Sequence, residues 1–290
     1  MSNEYGYISL LRDIIDNGVH KENRTDVDTI SIFSPDTLRF DLRNQSIPLF
    51  TTRNLGYKWI IKELLWFIRG ETDNKILTDQ GVKIWIPNST KEFMDKYKLP
   101  LEENDIGALY GFSIRHWGAD YVNCKTDYTG QGFDQLLYVE KLIKNDPNSR
   151  RIIINNWNPS YFGKQVLTPC HMSIIFNVTN GYLNGLLTVR SSDTCLGLPS
   201  NVFSYSVLIY ILALRCDLKP GRLNVSLGDA HIYVSHLTGI REILNREPYE
   251  APKFYINSEV KYKRWEDITI DDFKVIGYQS HPKISFDMVA

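Results

Sequence analysis

At 290 residues the chain is near the length at which a single hydrophobic core stops growing. Its 43% hydrophobic and 12% aromatic content excludes a disordered or fibrous protein. Lys and Arg number 33 against 34 Asp and Glu, a net charge of -1, so a general nucleic-acid binder is excluded and an anionic partner should be a small molecule met by local arginines.

The four cysteines, Cys124, Cys170, Cys195 and Cys216, form no CxxC pair and no even framework. They read as free thiols in a reducing compartment, with neither disulfides nor a metal site. The N-terminal MSNEYGYISLL has an early acid and no basic n-region, so no secretory signal is expected. No apolar run reaches about 18 residues, and a soluble, cytoplasmic protein without a membrane span is expected.

In chain order, Ile8, Leu11 and Ile15 recur at helical spacing over 7–17 and stop at Gly18. TISIFSPDTLRFDLR alternates as strands do and is broken at Pro35. YKWIIKELLWFIRG, 57–70, is apolar nearly all round and predicts a buried helix closed by Gly70. Residues 88–106 are polar and charged and read as an insertion over the surface. FDQLLYVEKLIKN, 133–145, predicts an amphipathic helix with Leu136, Val139 or Glu140, and Ile143 inward, ended by Asn145-Asp146-Pro147. RRIIINNW, HMSIIFNV and YLNGLLTVR read as strands, the last two joined by an Asn180-Gly181 turn. Residues 202–216 predict a central buried helix and 234–246 an amphipathic one, while RLNVSLGDAHIYV and APKFYINSEV supply late strands. Without repeats, linkers or composition shifts, residues 1–290 read as one mixed α+β domain.

Four constellations carry chemistry. Thr168-Pro169-Cys170-His171 is either a placed nucleophile or a buried core cysteine, and on these four residues alone the core reading is the simpler. Arg24 with Thr25, Arg150-Arg151, and Arg190 with Ser191 and Ser192 pair guanidinium with hydroxyl, the chemistry that grips phosphate. Ordinary surface arginines are the alternative, weakened at Arg190 by the apolar strand before it. Glu63 stands alone in WIIKELLWFI: either a carboxyl tuned upward for proton transfer or a buried glutamate paired with an arginine. In RSSDTCLGLPSN, Asp193 and Asn201 flank a Gly197/Pro199 turn, a frame suited to a planar heterocycle.

Taken together and in order, these stretches resemble the thymidylate synthase family: NRT at 23–25, PLFTTR at 48–53, KELLWFIRG at 62–70, GVKIW at 81–85, LYGF at 109–112, GQGFDQL at 130–136, DPNSRRIII at 146–154, WNP at 157–159, LTPCH at 167–171, RSSDTCLGLPSN at 190–201, GDAHIY at 228–233 and REP at 246–248. The similarity runs from about residue 5 to the C-terminus. It implies an α+β fold with a large twisted mixed β-sheet, flanked by helices, whose face forms a homodimer interface.

The resemblance further implies that Cys170 adds to C6 of dUMP, with 5,10-methylenetetrahydrofolate as carbon and hydride donor. Arg24, Arg190 and Ser191 would hold the phosphate, joined across the dimer by Arg150 and Arg151. Asn201 would pair with the uracil edge, and His231 and Tyr233 with the sugar. Glu63, Tyr110 and His171 would organise proton transfer. Asp193 would meet the pterin, and Trp85, Asn88, Leu196, Gly197 and Ala290 would complete the folate site.

The sequence departs from the family's usual pattern at Asp26, Asp28, Asn54, Ile86, Ile114, Val189 and Ser200, mostly on the folate side. Ser200 replaces an aromatic that packs on the folate, a loss on the order of 1 kcal/mol of binding. Three readings follow from these departures: dTMP synthesis; 5-hydroxymethylation of dUMP or, less readily, dCMP, with water capturing the intermediate; and a nucleotide-binding paralogue without catalysis.

Overall fold

The computed structural model describes residues 4–23 and 27–289, so Arg24, Asp26 and Ala290 lie outside the described residues. The chain begins with α1 (Tyr5–Asn17), whose Tyr7, Leu10, Leu11 and Ile14 are buried as the spacing requires. Gly18 ends it of necessity, because a Cβ there would lie 2.3 Å from the Ile14 carbonyl oxygen. Three short strands follow, β1 (Val19–Lys21), β2 (Thr29–Phe33) and β3 (Leu38–Asp41), the last two separated by the break at Pro35.

Next come α2 (Tyr57–Ile68), α3 (Asn74–Thr78), α4 (Lys91–Lys96), α5 (Tyr110–Arg115) and α6 (Gln135–Asn145). Strands β4 (Ile153–Asn155), β5 (His171–Thr179) and β6 (Tyr182–Asp193) lead into α7 (Gly197–Arg215) and β7 (Lys219–Tyr233). Helix α8 (Leu237–Leu244) and the antiparallel pair β8 (Lys253–Ile256) and β9 (Phe273–Ile276) complete the chain.

The seven-stranded sheet runs β1-β2-β7-β6-β5-β4, with β3 also pairing β7. The pairs are antiparallel apart from β6 and β7, which are parallel. Parallel neighbours need a crossover, and α7 supplies it. By length and composition α7 could cross a membrane, but 72% of its apolar window is buried, as befits a helix packed on β6, β7 and α2. The turn between β5 and β6 falls at Asn180 and Gly181, with φ of 50° and 76°, the left-handed pair a two-residue hairpin demands.

Two expectations are corrected here. Residues 88–106 are not a surface insertion: Met94 and Asp105 are fully buried and Phe93 nearly so, because apolar Phe93, Met94, Leu99 and Leu101 are spread among the charges. The central helix begins at Gly197 rather than 202. Pro199 is tolerated in its first turn, where a helix has no use for the missing N–H.

Candidate active site

Cys170 ends the Leu167–Cys170 loop, immediately before β5. Arg190, on neighbouring β6, ties that loop down: its Nε donates to the Pro169 carbonyl at 2.8 Å, and Nη2 donates to Thr168 O and Oγ1 at 2.8 and 2.7 Å. The same Nη2 lies 3.9 Å from Cys170 Sγ. A guanidinium this close favours the thiolate over the thiol. Cys170 is half-buried rather than sealed in the core, a placement compatible with the nucleophile reading.

The thiol opens into a cleft of about 830 Å³. One wall is made by the ends of β6 and β7, where Ser191 registers with Asp229 and Asp193 with His231. Alternate residues of a strand share a face, so Ser191 and Asp193 on β6, and Asp229, His231 and Tyr233 on β7, all line the cleft. Asp229 joins the wall together: its Oδ1 lies 3.0 Å from His231 Nδ1 and its Oδ2 accepts from Lys21 Nζ at 3.0 Å. Those bonds, His231 first, hold the Asp229 carboxyl down at about 2. Phe93, Tyr97 and Leu99 of the 88–106 segment add an apolar part to the lining.

Behind Cys170 lies a second, small cavity of about 50 Å³, lined by Glu63, Tyr110, His171, Asn201 and Tyr205 among others. Glu63 keeps some accessible surface because it lines this cavity, although protein surrounds it. Burial pushes its carboxyl up to about 7, against the opposing pull of the Trp85 hydrogen bond. That bond, Trp85 Nε1 to Glu63 Oε1 at 2.8 Å, replaces the arginine partner considered from sequence. Burial also lowers His171 to about 3, so the ring is neutral at physiological pH. Its Nδ1 is 2.8 Å from the Tyr205 hydroxyl, which also accepts from Asn156 Nδ2 at 3.5 Å.

Tyr110 connects the two compartments. Its hydroxyl accepts the backbone N–H of Cys170 at 2.8 Å while its ring stacks on His171 at 3.9 Å. Asn201 reaches the inner cavity from the second turn of α7, not from a loop as the Gly197/Pro199 pair suggested. Asp193 Oδ1 accepts the N–H groups of Cys195 at 2.8 Å and Leu196 at 3.3 Å, which fixes the turn leading to Gly197.

The remaining expected residues are more scattered. Asn88 is buried, and its Nδ2 has no hydrogen-bond partner among the described residues. Arg150 and Arg151 are exposed and line neither compartment within one chain. Asp28 is turned to His20 at 3.2 Å, and Asn54 donates to Ser280 at 3.0 Å. Val189 is fully buried, and buried Ile114 lines the inner cavity. Ser200 is buried and bonds back to the Leu196 carbonyl at 3.0 Å. Ile86 is exposed. Sequence reasoning missed Lys21, Asp229 and Tyr205. Asp229 lies inside the quoted GDAHIY stretch, where alternation with His231 was a usable signal; Tyr205 looked like one more apolar position of a buried helix.

A thiol beside a guanidinium, with a buried carboxyl and a neutral imidazole behind it, is the equipment of covalent nucleophilic catalysis with internal proton transfer. The mixed sheet and its cleft thus suit the class of enzymes that use a cysteine nucleophile on a small anionic substrate. A family model described as thymidylate synthase matches residues 5–290. The chain is 43% identical over 305 residues to a thymidylate synthase of Candida albicans, covering 98% of this chain and 97% of that protein. It is 39% identical over 287 residues to thymidylate synthase 1/2 of Encephalitozoon cuniculi, covering 99% and 97%. A bifunctional dihydrofolate reductase-thymidylate synthase of Paramecium tetraurelia is 43% identical over 286 residues, which cover 98% of this chain and 61% of the longer relative. The chain belongs to the thymidylate synthase family. These relationships do not favour the hydroxymethylase reading that the departures raised.

Proposed function

We propose that the protein converts dUMP to dTMP by reductive methylation, through a covalent adduct of Cys170. The observation that carries this reading is the Cys170 thiol opening on the 830 Å³ cleft with Arg190 Nη2 at 3.9 Å. Thiolate addition to C6 of uracil makes C5 nucleophilic, and the thiol is expelled after C5 has gained its carbon and lost its proton. 5,10-Methylenetetrahydrofolate supplies that carbon and the hydride that completes the methyl group.

The residues divide the work by position. Arg24, Arg190 and Ser191 take the phosphate, and His231 and Tyr233 the sugar hydroxyl. Asn201 takes the N3–H and O4 edge, accepting from one and donating to the other. Glu63, with a carboxyl near 7, gives and takes protons at neutral pH through the inner cavity, and Tyr110 and neutral His171 orient the path. The Asp193 carboxylate suits a pterin because it accepts N–H donors, and it is already held by the Cys195 and Leu196 amides. Trp85, Asn88, Leu196, Gly197 and Ala290 complete the folate side.

The chain acts as one domain over residues 1–290, in the cytoplasm, as a homodimer. An apolar row supports the dimer: Ile153 of β4, Ile175 of β5 and Leu186 of β6 register side by side and are exposed. Arg151 alternates with buried Ile152 and so leans toward the face that carries Ile153. From there Arg150 and Arg151 reach the partner's phosphate.

Mass spectrometry of the product from dUMP and methylenetetrahydrofolate, with dCMP in parallel, tests the reading. A 5-methyl product with stoichiometric dihydrofolate is expected. A 5-hydroxymethyl product, or none with a folded protein, overturns it.

A further inference from the structure

The turn between β6 and α7 brings Asp193 and Cys195 together with His236, which is distant in the sequence. Ligand atoms of Asp193, Cys195 and His236 all lie within 4.8 Å of one another. Asp193 faces the cleft, whereas Cys195 and His236 are buried beneath it.

His236 is the informative member. Its Nε2 lies 2.8 Å from the Asp287 carbonyl oxygen. A carbonyl only accepts, so Nε2 carries a proton, and in the tautomer that leaves Nδ1 bare this second nitrogen presents a lone pair. That Nδ1 is buried and has no hydrogen-bond partner among the described residues. An unused imidazole lone pair beside a thiol and a carboxylate is unfavourable by itself. A histidine whose other nitrogen donates to a backbone carbonyl is also how metal-binding imidazoles are oriented.

The surrounding turn is clamped. Thr194 bonds His231 O through both its N–H and Oγ1, at 3.0 and 2.9 Å. Tyr7 donates to Thr194 O at 3.0 Å, and Arg53 Nη2 donates to Cys195 O. The backbone that carries Asp193 and Cys195 is therefore held in place before any ligand arrives.

We propose that Asp193, Cys195 and His236 bind a divalent cation of the zinc class at the floor of the cleft. One carboxylate, one thiolate and one imidazole suit Zn²⁺ or Co²⁺ and not Mg²⁺ or Ca²⁺. Metal–ligand bonds of about 2.0–2.3 Å set ligand separations near 3.3–3.8 Å in a tetrahedron, so the triad, now within 4.8 Å, draws in by up to about 1.5 Å. Binding exchanges the Cys195 thiol proton for the cation and releases that proton to solvent. The fourth position is left to water from the cleft. Resting on the pterin role assigned to Asp193 above, a bound cation withdraws that carboxylate and inhibits competitively with folate, not with dUMP. This site is not legible in the sequence, because His236 lies far along the chain from the Asp-x-Cys pair.

Cobalt titration of the chelator-treated full-length protein tests the site independently of turnover. Wild type is expected to take up one Co²⁺ per chain, with tetrahedral visible bands and a near-ultraviolet thiolate-to-cobalt band, both erased by Zn²⁺. The thiolate band should vanish in Cys195→Ala and persist in Cys170→Ser. His236→Gln should weaken binding by at least about tenfold, which keeps the test open if Cys195→Ala does not fold by circular dichroism. Absence of a thiolate band in wild type overturns the proposal, as does a band that survives Cys195→Ala but is lost in Cys170→Ser. Because the signal is spectroscopic, it stands or falls separately from dTMP formation.

Discussion

The ring of Tyr110 lies flat against the imidazole of His171, with centroids 3.9 Å apart and 3° between the planes. The stack holds the Tyr110 hydroxyl where it accepts the Cys170 backbone N–H, so an aromatic contact in the inner cavity helps to fix Cys170 at the cleft. Tyr110→Phe keeps the stack and removes the acceptor. Leaving that N–H unpaired costs about 1–3 kcal/mol of folding stability, and releasing the Cys170 backbone is expected to lower kcat with little change in KM for dUMP. A modest loss of thermal stability together with a kcat defect in steady-state kinetics would support this; a defect confined to KM would count against it.

Cys170→Ala should abolish dTMP formation while calorimetry still detects dUMP binding, because phosphate and base contacts lie on other residues. Arg190→Gln, by contrast, removes the charge beside the sulfur and should move the pH dependence of Cys170 alkylation upward. Alkylation by iodoacetamide across pH reads this directly, and an unmoved profile would show that Arg190 does not tune the thiol.

Glu63, at about 7, predicts an inflection near neutrality in the pH profile of kcat, absent from the residual activity of Glu63→Gln. It also predicts a stability slope. The folded carboxyl holds its proton more tightly than the unfolded one, whose value is 4.5. The associated stability is fully present below 4.5 and is lost as pH rises through about 7. The span corresponds to about 3 kcal/mol, and denaturant melts of Glu63→Gln between those limits should lack it.

The dimer proposal predicts complementation. Cys170→Ala and Arg151→Ala chains are each inactive or strongly impaired alone. Mixed and re-equilibrated in equal amounts, half the dimers are heterodimers with one intact site of two, giving roughly a quarter of wild-type activity. Activity of the mixture no greater than the average of the two separate proteins would mean that Arg151 serves its own chain.

Local physics made much of this legible in advance. Helical spacing located α1, α2 and α6, because each buries one stripe or is apolar all round. The Asn180-Gly181 turn located the β5–β6 hairpin, because only two left-handed residues close it. Cys170, Arg190 and Ser191 could be quoted as candidates because thiol and guanidinium chemistry is visible in residue type alone. What only the tertiary structure decided is adjacency. Residues 88–106 looked solvated because charges outnumber apolar residues there, yet some of those few apolar side chains line the cleft. Glu63 found Trp85 rather than an arginine, and its carboxyl rises because the fold seals it into a small cavity. The outer cleft takes part of its lining from the ends of β6 and β7, and the inner cavity lies among residues of α2, α5 and α7. That arrangement is set by long-range contacts, and no stretch of sequence encodes them locally.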